Sequence, residues 1–323
     1  MSSYADSWLK FEESLGGVRP VLKGSAEEMR TQFSGLGSLI ASQAPPFPEN
    51  KLKISDGEVD GVPYRTYRPL HSEAKLPIGV FYHSGGFVVG NLDSEDGFCR
   101  YTALNADVVI VNVGYRLSPE HKAPTHLEDA VTLYEWAFNN AETIGGNRSK
   151  MFTIGTSAGG CLALAVTRKV VLGQTKLPTD AITGVVALCP VAFHPRNVPA
   201  KFQAKHSSYK EHKDNVPIVD EESLLQTFDG SGIDPDDKNY FPMLDDGCLK
   251  VFPRTYVVTC GMDTLRDDGR VFHDSLSSAG VPTKIVHYGN MPHCFWIVPS
   301  LPETEVFLKE VISGIGWAIK AST

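Results

Sequence analysis

Six short apolar runs, at 77–83, 108–113, 151–155, 183–189, 254–260 and 283–287, recur along the chain with turn residues at their ends. Apolar, β-branched runs of this length read as buried strands. Helical patterns lie between them. Leu127, Ala130, Val131, Tyr134 and Phe138 repeat at helical spacing, and Thr125 with Glu128 predicts a capping box at the start of that helix. A parallel pair of strands cannot be closed by a tight hairpin, so the helices must cross over the sheet. The expected class is therefore α/β: a mostly parallel central sheet flanked by helices on both faces.

The 323 residues would ordinarily suggest two domains, but one large α/β sheet reaches this length, and neither repeats nor low-complexity tracts interrupt the pattern. A single domain over 1–323 is expected. The segment 59–67, with Gly61-Val62-Pro63, reads as part of an opening antiparallel hairpin. Two stretches break the rhythm. The first fifty residues are helical in two pieces and end in Pro45-Pro46-Phe47-Pro48; the region 193–246 is rich in Pro, Lys and Asp where a further βα unit would fall. Together, 1–50 and 193–246 are expected to form a helical cap over the carboxyl edge of the sheet, where sites form in such folds.

Composition narrows the partners. No run is apolar enough, for long enough, to cross a bilayer, so no stable membrane insertion is expected. The N-terminus carries Asp6, Trp8 and Lys10 without the apolar core of a secretory signal, and 321–323 carries no lipidation or sorting motif. A net charge of -8 argues against nucleic acid and anionic membranes, which reward clustered Lys and Arg. Cys99, Cys161, Cys189, Cys248, Cys260 and Cys294 fall mostly in apolar segments and never at C-x-x-C spacing. They read as free buried thiols in a reducing cytoplasm, with no metal site. His206 and His212 lie in a Lys-rich stretch with no matching ligand cluster, and read as solvated loop residues.

The strongest chemical signal is Gly155-Thr156-Ser157-Ala158-Gly159-Gly160, directly after one strand and directly before a helical run at 162–171. This is G-x-S-x-G in the context its chemistry requires: a strained strand-to-helix turn that projects the Ser157 oxygen, with glycines where side chains would collide. No Lys-Ser/Thr follows at the spacing of a phosphate loop, and no cofactor is implied. A serine hydroxyl needs a base, and the base needs an orienting group. Asp263 follows the strand ending at Cys260, and His293 follows the next strand, so both sit on the same sheet edge as Ser157 in the order Ser, acid, His. Asp267, one turn after Asp263, is the rival acid; it is expected to start a helix running to Ser278, where a carboxylate suits the helix dipole. The oxyanion of acyl transfer must be met by fixed donors. His83-Ser84-Gly85-Gly86-Phe87, after the strand 77–82, offers the amides of Gly85 and Gly86, with Ala158 as a third donor.

These motifs together resemble the hormone-sensitive lipase family of α/β-hydrolase carboxylesterases, over about 77–295. Its HGGG, YRLAPE, GDSAGG and D-x-L-x-D motifs have counterparts in His83-Ser84-Gly85-Gly86, Tyr115-Arg116-Leu117-Ser118-Pro119-Glu120, Gly155 to Gly160 and Asp263-Thr264-Leu265-Arg266-Asp267. The resemblance implies the α/β-hydrolase fold, an N-terminal cap, an oxyanion hole from the loop glycines, and Asp263 rather than Asp267 as triad acid. Within the family the chain looks like fungal members that act in secondary metabolism. Two positions depart from the pattern. Thr156 replaces the usual Asp beside the nucleophile, and Ser84 replaces the first glycine of the loop, where it is a candidate for a substrate or proton-transfer contact.

The expected activity is hydrolysis of a small or short-acyl ester through an acyl-enzyme. Transacylation, lactone opening or dehydration of a natural product on the same site is the alternative. A non-catalytic small-molecule receptor is a third reading, though receptors of the family lose the triad histidine and His293 is present. By analogy with family members that pair through the last strand, here 283–287, a homodimer is expected.

Overall fold

The computed structural model describes residues 4–43, 47, 49–245 and 247–320. The parts of the expected cap at 1–3, 44–46, 48 and 246, including the prolines around Phe47, lie outside the described residues, as does the tail 321–323. The elements run α1 (Asp6–Ser14), α2 (Ala26–Gln43), β1 (Leu52–Val59), β2 (Val62–Pro69), β3 (Leu76–Tyr82), α3 (Asp96–Ala106), β4 (Val109–Val113), α4 (Thr125–Asn139), β5 (Gly146–Thr156) and α5 (Ala158–Val171). They continue with β6 (Gly184–Leu188), α6 (Ala200–Gln203), α7 (Ser208–Glu211), α8 (Glu221–Ser231), β7 (Arg254–Met262), α9 (Arg266–Ser278), β8 (Thr283–Pro292) and α10 (Pro302–Ala318).

The eight strands form one sheet in the order β1-β2-β4-β3-β5-β6-β7-β8. Only β2 runs against the rest, pairing antiparallel with β1 and β4. The expected opening hairpin and the expected parallel strands are both present. Side chains alternate between two cores because successive strand residues face opposite sides. On one face Ile78, Val80, Val109, Val111, Val185, Ala187 and Val257 pack with residues of α4, α5 and α9. On the other, Phe81, Ile110, Phe152, Ile154, Val186, Leu188 and Val258 pack with α3, α10 and, through Trp8 and Phe11, α1. Both faces being covered explains the near-continuous apolar runs.

The capping box expected at Thr125 does not form. Pro124 is the N-cap, Thr125 is already helical, and the Pro124 carbonyl receives the N–H groups of Leu127 and Glu128. A capping box occurs instead at α8, where Asp220 and Ser223 satisfy each other's backbone N–H.

The two stretches outside the rhythm touch. Backbone bonds join Leu22 N–H to the Ile218 carbonyl and Ile218 N–H to the Pro20 carbonyl, and Lys23 bridges Asp220 and Glu222. Met29 of α2 packs on Val88 and Val89, just past β3. Thr264, just past β7, donates to the carbonyls of His212 and Val219. Both stretches therefore meet loops at the carboxyl ends of strands. No helix among the described residues is long and apolar enough to cross a membrane.

Candidate active site

Ser157 stands between β5 and α5 with φ 57° and ψ -118°. A non-glycine residue held there is strained, and its surroundings must hold it in place. Its N–H donates to the Leu188 carbonyl at 2.8 Å. A Cβ on Gly155 would lie 2.1 Å from the Gly159 carbonyl oxygen, and one on Gly159 would lie 2.0 Å from that of Tyr82. Main chain crosses main chain here, so only glycine fits at these two positions.

β7 delivers Asp263 and β8 delivers His293 to the same edge. His293 Nδ1 lies 2.8 Å from Asp263 Oδ2, and His293 Nε2 lies 2.9 Å from Ser157 Oγ. The other Asp263 oxygen accepts the Leu265 N–H at 2.8 Å. All three residues are buried, Ser157 being 6 % exposed. Burial works against the His293 imidazolium, but the charge and hydrogen bond of Asp263, helped by Cys189, outweigh it and raise its pKa. That is the sense required of a base that must carry a proton for part of a cycle. Behind it, Phe295 and Trp296 pack on Phe307, with the Trp296 and Phe307 rings stacked at 4.1 Å.

The loop after β3 turns through left-handed backbone at Gly85 (φ 119°), Gly86 (φ 60°) and Phe87 (φ 66°). Neither the Gly85 nor the Gly86 N–H donates to another group among the described residues, and Ala158 opens α5, where first-turn N–H groups have no partner within the helix. Ser84 is different: its N–H is taken by Glu95 Oε2 at 2.7 Å, and its carbonyl lies 2.6 Å from His83 Nδ1. Burial lowers the His83 pKa to about 4, so its ring is neutral. It stacks on Tyr115, whose hydroxyl donates to the His83 carbonyl at 2.8 Å. The Thr227 side chain of α8 lies over Gly86, with Cγ2 2.6 Å from where a Cβ would be.

Asp267 does not reach His293. It sits in the first turn of α9, as expected, but accepts the N–H groups of Ser207 and Ser208 and pairs with Arg266. The solvated-loop reading of His206 and His212 is overturned, because both rings are buried. His206 Nε2 lies 2.9 Å from Asp268 Oδ2, and His212 Nε2 lies 3.0 Å from the Gly261 carbonyl. Asp268 also accepts from the backbone of Ala192 and Phe193 and from the Tyr209 hydroxyl. Sequence reasoning missed Glu95 and Asp268, and gave Tyr115 a place in a family motif but no task. The Asp267-Asp268 doublet was a visible signal for Asp268; Glu95 had none.

Spacing along the chain also hid a grouping. Cys189, Cys260 and Asp263 offer ligand atoms within 4.8 Å of one another, a set suited to a soft metal. Both Asp263 oxygens are already engaged, and all six cysteines are free and buried. Two open clefts, of about 330 and 370 Å³, are lined from Lys201 to Ala279 and from Asn197 to Leu244, and neither includes a residue of the Ser157 site.

A family model described as alpha/beta hydrolase fold matches residues 79–297. The chain belongs to that family. This hydrolase-fold chain is 42% identical to versiconal hemiacetal acetate esterase of Dothistroma septosporum, over 98% of its own length and 95% of the relative's. It is 32% identical to the Aspergillus parasiticus protein of the same name, over 97% and 98%. A thermostable esterase from Pseudomonas putida superposes with a TM-score of 0.85 at 22% identity, covering 100% of this chain and 99% of that one, a likeness of fold. Vibralactone cyclase superposes with a TM-score of 0.85 at 25% identity, over 98% and 95%.

Proposed function

We propose that this hydrolase-fold chain is a serine carboxylesterase of small, short-acyl esters. The observation that carries the reading is the unbroken chain from Ser157 Oγ through His293 to Asp263. Ser157 Oγ attacks the ester carbonyl while His293 Nε2 takes its proton. Asp263 holds the ring's tautomer and stabilises the imidazolium. The Gly85, Gly86 and Ala158 amides receive the oxyanion. His293 returns the proton to the leaving alcohol, and water, activated by the same ring, releases the acid. Short acyl groups are favoured by the kinship with two hemiacetal acetate esterases and by Thr227 crowding the loop at Gly86.

The residues 1–50 and 193–246 act as the cap of this site. Ser84 contributes through its backbone; normal ester turnover by Ser84→Gly would remove any proton-transfer role for its hydroxyl. The six free, buried cysteines suit a reducing compartment such as the cytoplasm. β8, at the end of the sheet, pairs two copies into a dimer, and a monomer in sedimentation at micromolar concentration counts against that. A second reading, lactone formation or acyl transfer on the same serine, is favoured by the likeness to vibralactone cyclase.

The test is hydrolysis of p-nitrophenyl esters of increasing acyl length by the wild type and Ser157→Ala, with product analysis. Turnover that needs Ser157 and peaks at short chains supports the esterase. A folded wild type that turns over none of them removes it and leaves the second reading.

A further inference from the structure

The two departures from the family motifs, Ser84 and Thr156, meet at one side chain. Glu95 is the N-cap residue of α3, and its carboxyl is buried between the exits of β3 and β5. Its Oε2 takes the Ser84 N–H at 2.7 Å. Burial raises the pKa of this carboxyl, and the Ser84 N–H, the nearby hydroxyls of Thr156 and Ser84 and the charge of His293 pull it back only in part. Oε1 and Thr156 Oγ1 are both buried without a hydrogen bond among the described residues. The helix carrying Glu95 is fixed in turn, since Asp96 next to it bonds the Tyr67 hydroxyl at 2.7 Å and pairs with Arg65 and Arg100.

A buried carboxyl is costly unless its oxygens are hydrogen-bonded. Here it takes up the donor immediately before the two free amides of the loop. The bond to Glu95 holds the His83–Ser84 peptide; the next two are held through their carbonyls, Ser84 by His83 Nδ1 and Gly85 by the N–H groups of Val88 and Val89, so the stretch that carries the Gly85 and Gly86 amides starts from a fixed end. Thr156, the residue before Ser157, borders the same carboxyl, so loop and nucleophile are referenced to one group.

We propose that Glu95 is a positioning residue for the oxyanion site: by accepting the Ser84 N–H it anchors the His83–Ser84 peptide, from which the loop presenting the Gly85 and Gly86 amides sets out. The proposal rests on the serine-esterase reading. It requires an acceptor at Glu95, not a charge, and its effect falls on the transition state because the oxyanion exists only there.

Glu95→Gln keeps an oxygen acceptor at the same reach without the charge. Glu95→Asp keeps the charge but is too short to reach Ser84. For each variant and the wild type, the rate of Ser157 phosphonylation by a fluorophosphonate is read by intact mass, kcat and KM are read on p-nitrophenyl acetate, and melting confirms folding. The expected result is near wild-type behaviour for Glu95→Gln and a loss of about a hundredfold in kcat and phosphonylation rate for Glu95→Asp, with KM little changed. Glu95→Asp as fast as the wild type, or faster than Glu95→Gln, overturns the proposal; so does a loss that falls on KM alone. Failure of the wild type to be labelled at Ser157 is a different failure: it sinks the nucleophile reading and this proposal with it.

Discussion

Among the described residues of α2 only Met29 is buried, and the Arg30 guanidinium ties the helix to the body by bonding the carbonyls of Val88 and Ser118 and the exposed Glu120 carboxylate. The stretch 206–212 is far shorter, yet it buries His206 and Ser208 against two buried carboxylates, Asp268 and Asp267, and His212 against the Gly261 carbonyl. Exposed ion pairs contribute at most about 1 kcal/mol, because solvent screens them. A buried charge whose lone pairs are filled is different, since removing it strands every partner. One stretch hangs from the surface and the other is anchored in the interior. The motion that admits substrate is accordingly expected on the α2 side.

The largest contrast lies between the loop after β7 and the first turn of α9. Asp263→Asn is expected to lower kcat by about 10⁴ by spoiling the His293 tautomer, while leaving the urea midpoint close to wild type. Asp268→Ala should do the reverse in kind. It strands His206 and the amides of Ala192 and Phe193, and urea unfolding should register a loss of about 3–5 kcal/mol. A loss near that of a surface mutation would erase the distinction between the two stretches.

The anchor also has a pH signature. Burial works against the His206 imidazolium, but the hydrogen bond and charge of Asp268 outweigh it, so its pKa in the folded chain is raised above 6.5. A raised folded value means the stabilisation is complete below the unfolded pKa and is lost as pH climbs through the folded one. The gap in unfolding midpoint between wild type and His206→Asn should therefore be widest below pH 6.5 and shrink as the pH climbs above that value. A gap that widened would reverse the assignment. The smallest effect belongs to α2: Arg30→Ala should cost no more than about 1 kcal/mol. Limited proteolysis of that variant should cut first within 23–43, and first cuts within 200–232 would invert the comparison.

The sheet was legible because its strands are buried on both faces, so each writes a continuous apolar run, and the elbow was legible because main-chain crowding admits only glycine at 155 and 159. Polar anchoring was not. His206 among lysines looks the same whether it faces water or a carboxylate 62 positions away, and nothing local distinguishes the two. Glu95 was hidden for the same reason: it reads as one more acidic residue at a helix start, and only the folded loop brings it to Ser84. At Thr125 the helix did begin nearby, but Pro124 took the cap, which moved the boundary by one residue and left the threonine hydroxyl without its expected task.

The crossing of backbones at Gly155 and Gly159 has a further consequence. The position of the Ser157 oxygen is set by main-chain atoms that no side-chain exchange can move, while Thr227, over the Gly85-Gly86 loop, belongs to a stretch with no strand of its own. Reaction and selectivity are thus written in separate parts of the molecule. Such a division lets a lineage exchange the roof of the site and acquire new substrates while inheriting the same chemistry underneath.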